Sequence, residues 1–82
     1  MSENTTIEAP MPGVFYRRPD PDEEFYVEEG DRIEEGDVVG MIGVMKNFNE
    51  ITSDADGVVE RVFVENEVEI EAGQELVEIA PE

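Results

Sequence analysis

The segment VEEGDRIEEGDVVGMIG (27–43) returns 37 residues later as VENEVEIEAGQELVEIA (64–80). Val27 meets Val64, Glu28 meets Glu65, Ile33 meets Ile70, Glu34 meets Glu71, Gly36 meets Gly73 and Ile42 meets Ile79. Upstream, PGV (12–14) is echoed by DGV (56–58), but there the offset is 44. The first half therefore carries seven extra residues between Gly13 and Val27. RRPDPDEE (17–24) is the candidate, because its two prolines and clustered acids cannot continue a central strand. A chain of 82 residues buries too little surface for two separate cores. The repeat must be two halves of one domain folded on each other.

The repeated units are β in character. Helical periodicity is missing. Val, Ile and aromatic residues fall in short runs bounded by Gly, Pro, Asp and Asn. The pattern predicts strands at 6–9, 14–17, 25–28, 38–44, 47–52, 57–64 and 75–79, with a short one at 32–33 or 68–70. Each half carries the same Glu-x-Gly-Asp/Gln turn, in which Gly36 or Gly73 supplies a positive φ. Residues 1–6 read as a disordered tail and 7–80 as the domain. Ile42, Val44 and the phenylalanines Phe15, Phe25, Phe48 and Phe63 are the simplest core members. Tyr16 and Tyr26 are expected on the outer face near 17–24. Gly40 and Gly43 are expected where backbones approach closely across the twofold.

Between the halves the chain must reverse once, near VMKN (44–47). That places Lys46, the chain's one lysine, at a hairpin tip. A lysine at a turn is ordinarily a solvated charge. Here lysine is absent from every other position, so solubility does not account for it. A flexible amine on a β-tip suits covalent modification. The chain has no histidine or cysteine to act as a neighbouring base, so a partner enzyme must activate the amine. The paired acids in DPDEE, VEEGDRIEEGD and ENEVEIEAGQE have neither calcium-loop spacing nor pocket-forming length, and read as solvated faces.

VMK at a hairpin between quasi-repeated β-halves resembles the attachment site of biotinyl domains. PMPGVFYRRPDPDEEFYVEEGDRIEEGD (10–37) resembles the start of the biotin carboxyl carrier proteins of bacterial-type acetyl-CoA carboxylase. NEITSDADGVVERVFVENEVEIEAGQELVEI (49–79) matches their second half. The resemblance implies a flattened all-β barrel or sandwich of two four-stranded antiparallel sheets with quasi-twofold symmetry. It implies covalent biotin on Lys46, with Val44, Met45 and Asn47 read by a biotin-protein ligase. Arg18, Pro19, Asp20, Pro21, Asp22, Glu23 and Glu24 would form a thumb beside the biotin. The implied partners are that ligase, a biotin carboxylase and a carboxyltransferase. The chain would be a non-catalytic carrier moving carboxyl groups to an acyl-CoA, acetyl- or propionyl-CoA first. Asn47 departs from the apolar residue usual after the lysine. A lipoyl carrier of a 2-oxoacid dehydrogenase complex would have Asp where Met45 stands. A module that keeps the fold unmodified is the other alternative.

The charge is −18, with 23 acids against five bases. Acidic chains poor in aromatics are often disordered, but 39% of this one is apolar and grouped in runs. Salt adaptation accounts for the charge instead, in a halophile's cytoplasm. A polyanionic surface has no basic patch for nucleic acid. No apolar run approaches a membrane span, and the N-terminus lacks a signal peptide's basic and apolar regions, so a soluble cytoplasmic protein is expected. In about 1 M salt the Debye length is about 3 Å and the self-repulsion is screened. Raising KCl from 50 mM to 2 M should lift the melting temperature by on the order of 10 °C, which for a domain of this size corresponds to about 2 kcal/mol. A melting temperature that does not move with salt would remove this account of the charge.

Overall fold

A computed structural model describes residues 3–81, and all of its regular structure is strand. The strands are β1 (Thr5–Glu8), β2 (Gly13–Tyr16), β3 (Arg32–Ile33), β4 (Val38–Val44), β5 (Asn47–Thr52), β6 (Gly57–Val62), β7 (Val68–Ile70) and β8 (Glu75–Ala80). They form two four-stranded antiparallel sheets, ordered β1-β8-β6-β3 and β5-β4-β2-β7. Replacing each strand by its counterpart in the other half turns one order into the other. Each sheet has its two central strands from one half and its two edge strands from the other.

The symmetry extends to register. Gly13 pairs with Ile70 as Gly57 pairs with Ile33. Val14 pairs with Gly43 as Val58 pairs with Ala80. The ladder slips at Val38/Gly40 in one half and opposite Ile7/Glu8 in the other. The turns also repeat. Asp37 N–H donates to the Glu34 carbonyl (3.0 Å) and Gln74 N–H to that of Glu71 (3.1 Å). Each side chain then reaches back: Asp37 Oδ2 accepts from Glu34 N–H (2.9 Å) and Gln74 Oε1 from Glu71 N–H (3.0 Å). Gly36 and Gly73 take the expected positive φ, 94° and 86°. The same turn recurs at Glu28–Asp31, where Gly30 has φ 96°. Its counterpart 37 residues on is Glu67, a non-glycine held at φ 60°. The shared hydrogen bond explains why. Gly30 N–H donates to the Val59 carbonyl (2.8 Å), and Glu67 N–H donates to that of Phe15 (2.7 Å).

The core lies between the sheets. Phe15, Ile42, Leu76, Val77, Ile79, Val39 and Val59 are almost fully buried, joined by Ile7, Val27, Ile33, Ile51 and Ile70. Phe15 and Val59 are symmetry counterparts, as are Gly40 and Val77. The larger Phe15 fills the space that the missing side chain of Gly40 leaves. A Cβ on Gly40 would lie 2.4 Å from Phe15 Cζ. Gly40 thus answers to a side chain rather than to the close backbone approach expected of it, and the same holds for Gly43. The backbone constraint falls on Gly13 and Gly57, whose Cβ atoms would meet the carbonyl oxygens of Gly43 (2.6 Å) and Ala80 (2.2 Å).

Several expectations are corrected. No strand forms at 25–28. Tyr26 N–H instead turns back to the Arg17 carbonyl (2.7 Å), and Val27 enters the core from the loop. Both short strands, 32–33 and 68–70, are present. The 57–64 strand stops at Val62. β1 begins at Thr5, so Thr5 and Thr6, assigned to the tail, pair with Ile79 and Glu78. Met1 and Ser2 lie outside the described residues. Phe25 is half-buried, Phe48 and Phe63 are exposed, and Val44 lies at the surface. Tyr26 packs against the core, where burial and then the Glu50 charge hold its hydroxyl above the usual phenol pKa.

Two stability outcomes follow from these contacts. Phe15→Val should cost about 2–3 kcal/mol by leaving a cavity, and Gly40→Val about as much by overpacking. Together they recreate the Val59–Val77 arrangement and should recover about 2 kcal/mol in a double-mutant cycle by urea denaturation. Additive losses would refute the compensation. Glu67→Gly should raise stability by about 0.5–1 kcal/mol, because a left-handed residue with a Cβ costs about 1–2 kcal/mol and glycine's extra chain entropy offsets part of it.

Candidate functional site

β4 and β5 close on a two-residue turn, with Val44 opposite Asn47 and Met45 and Lys46 between them. Such short hairpins need a positive φ in the turn. It falls on Met45, at 57°, and not on Asn47 as the residue types would favour. The corner turns the Met45 side chain into solvent, 98% exposed. Lys46 and Asn47 are also exposed. Among the described residues, Lys46 makes no hydrogen bond or ion pair, despite the surrounding acids. The turn stands on a fixed base, because β4 is a central strand and its Val39 and Ile42 are buried in the core.

Beside the hairpin, on the outer face of its sheet, lies a cleft of about 160 Å³. Tyr16, Met41 and Phe48 form its sheet side. The Tyr16 and Phe48 rings meet edge to face at 5.8 Å and 61°. Gly43 makes room for them, since a Cβ there would lie 3.0 Å from both rings. The loop after β2 forms the opposite wall through Arg18, Pro19, Asp20 and Pro21. Asn66 and Glu67 complete the lining. Asp22, Glu23 and Glu24 lie outside it, the last two beside Phe25 and Glu28.

Arg17 holds this loop. Its guanidinium lies 4.1 Å from the centre of the Phe25 ring, and its Nη2 donates to the Val27 carbonyl (3.2 Å). Its backbone N–H donates to Asn66 Oδ1 (2.8 Å), joining the loop to the second half. A turn closes the far end, with Glu23 N–H donating to the Asp20 carbonyl (3.0 Å). Arg18, by contrast, has its Nε shielded from solvent and without a hydrogen-bond partner.

The structure therefore brings Val44, Met45, Lys46 and Asn47 to one exposed corner and sets Arg18 to Pro21 beside it. Sequence reasoning missed Phe48 and Met41 as members of this surface. The signal was the period of two along β5. Ile51 is buried and Asn49 half-buried, with Asn49 Nδ2 on Met11 Sδ (3.5 Å), which leaves Phe48 on the outward face with Glu50.

Comparison with known proteins gives this geometry a family. A family model described as "Biotin-requiring enzyme", of the biotin/lipoyl type, matches residues 5–79. The chain is 43% identical over 76 residues to the biotin carboxyl carrier protein of acetyl-CoA carboxylase from Nostoc sp., covering 93% of this chain and 42% of that one. It is 38% identical over 79 residues to the protein of that name from Streptococcus pyogenes, covering 96% and 48%. A chloroplastic relative from Glycine max is 36% identical over 75 residues, covering 92% and 29%. The chain thus spans less than half the length of these relatives. Among solved structures, an aspartoacylase family protein from Mesorhizobium loti superposes with a TM-score of 0.72 at 22% identity, over 92% of this chain and 24% of that one, a likeness of fold alone. With one family model spanning nearly all the described strands, the chain belongs to the biotin/lipoyl domain family.

Proposed function

We propose that this chain is the biotin carboxyl carrier of an acyl-CoA carboxylase, acetyl-CoA carboxylase first, with biotin held on Lys46. The observation that carries the reading is the one lysine, on an exposed two-residue turn between the halves and without a partner among the described residues. The names of the relatives, biotin carboxyl carrier proteins of acetyl-CoA carboxylase, support it. Met45, where a lipoyl carrier would have Asp, favours biotin.

The residues present fit such a group. Lys46 Nζ is free to form an amide, which removes its charge and extends a flexible arm. Phe48, two residues further along β5, starts the cleft about 7 Å away along the strand. Its aromatic and proline walls match an apolar ring system, and Arg18 Nε is a shielded donor without a partner. When bound, biotin supplies carriage of a carboxyl group between a biotin carboxylase and a carboxyltransferase. The domain's own residues position the arm. β4 holds the corner still, Val44, Met45 and Asn47 present it to a biotin-protein ligase, and the 18–24 loop, braced by Arg17, acts as the thumb. Tethering sets the second encounter by effective concentration, in the millimolar range for short flexible links. No helix in the described residues is long and apolar enough to cross a membrane. The charge of −18 supports a salt-rich cytoplasm as the setting.

Intact mass after incubation with a biotin ligase, ATP and biotin tests the assignment. The wild-type chain should gain one biotin and Lys46→Arg none. The ring protons of Tyr16 and Phe48 should shift on loading. No biotin adduct in high or low salt, or a lipoyl adduct in a parallel incubation with a lipoate ligase, ATP and lipoate, would overturn the reading. Loading without ring shifts would remove the thumb's role alone.

A further inference from the structure

We propose that Met45 is an oxidation site whose sulfoxide blocks loading of the adjacent lysine, so that the hairpin corner senses peroxide. The loading half of this proposal rests on the reading of Lys46 above. The chain has no cysteine, so methionine thioethers are its only oxidisable sulfur. Those in the described residues differ sharply. Met11 packs against the core, and its sulfur accepts the Asn49 amide. Met41 is half-buried in the cleft wall. Met45 is 98% exposed, held outward by the left-handed corner. Hydrogen peroxide is neutral, so the net charge of −18 does not hinder its approach.

The step is balanced. The thioether takes one oxygen from hydrogen peroxide in a two-electron oxidation, and the peroxide leaves as water. The product is a polar, chiral sulfoxide in place of an apolar side chain. Met45 touches no core residue, so the fold is untouched. The change falls on the residue that a ligase must cover to reach Lys46. Losing that apolar contact should slow loading about tenfold, equivalent to about 1.4 kcal/mol.

The test treats the folded chain with graded hydrogen peroxide, maps sulfoxides by peptide mass spectrometry and then measures the biotinylation rate. Met45 should oxidise at least tenfold faster than Met11 and Met41. Circular dichroism should not change, and loading should fall about tenfold. Methionine sulfoxide reductase should restore loading, and Met45→Leu should load at a peroxide-independent rate. Equal oxidation of the three methionines would overturn the selectivity. Undiminished loading of the Met45 sulfoxide, or peroxide-sensitive loading of Met45→Leu, would overturn the switch. If the unoxidised chain takes no biotin, the reading of Lys46 fails and the switch fails with it, whereas selective oxidation can still be scored.

Discussion

Each half of this protein supplies the centre of one sheet and the edges of the other, and the remaining features depend on that exchange. A half on its own would be a central pair with one face uncovered and both edges open. Paired with its counterpart, it gains edge strands and a lid for its apolar face together. Within each central pair the backbones also leave no space for a side chain at one point. Gly13 lies against the Gly43 carbonyl and Gly57 against that of Ala80, with no room for a Cβ at either. Neither half encloses a core without the other, which suits a chain of 82 residues with little surface to bury.

The repeat made a twofold β domain readable in the sequence, whereas the strand order and the exchange of edges between halves are visible only in the structure. The offset pairs Ile33 with Ile70 and Gly36 with Gly73, and the structure places both pairs in equivalent positions. The misreadings arose where the halves differ. Phe25-Tyr26-Val27 has strand-like residues, yet Arg17 stacks on Phe25 and Tyr26 bonds back to Arg17, so local contacts replace a ladder. Gly40 could be read as a spacer, but only packing shows that it yields its volume to Phe15. Phe48 was placed in the core by residue type, although the alternation in β5 already put it outside. At the turn, Asn47 offered the better left-handed residue, yet register places the corner on Met45. Tertiary pairing overrides local preference there.

The same packing explains how a small domain holds a corner steady while leaving it free. Three residues separate Lys46 from Ile42, a buried side chain of the central strand β4, so the turn inherits the rigidity of that strand. Its exposure has a different origin. The Tyr16–Phe48 pair packs over Gly43 on the outer face and does not rise over the turn. An amine that must be reached by other proteins gains from both. The surrounding field matters less at contact range, because among the described residues none of the acids engages Lys46.

Symmetry also isolates what is special about the first half. The β2–β3 connection, residues 17–31, has 15 residues against five (63–67) between β6 and β7; seven of those ten extra residues are the insertion that the offsets reveal, and the other three reflect the longer reach of β6 and β7. Where the second half makes a short turn through Glu67, the first half builds a braced loop with Arg18 and two prolines beside the hairpin. The symmetry counterpart of the hairpin itself is the β1–β8 pair, where no turn joins the strands. A twofold fold offers two equivalent ends, and this chain has elaborated only one. The extra residues stand at the end that carries the lysine, and Asn66, from the opposite half, accepts a bond from Arg17 there. An insertion selected for length alone would have no reason to be tied across the twofold. One that must hold a wall beside a mobile arm does.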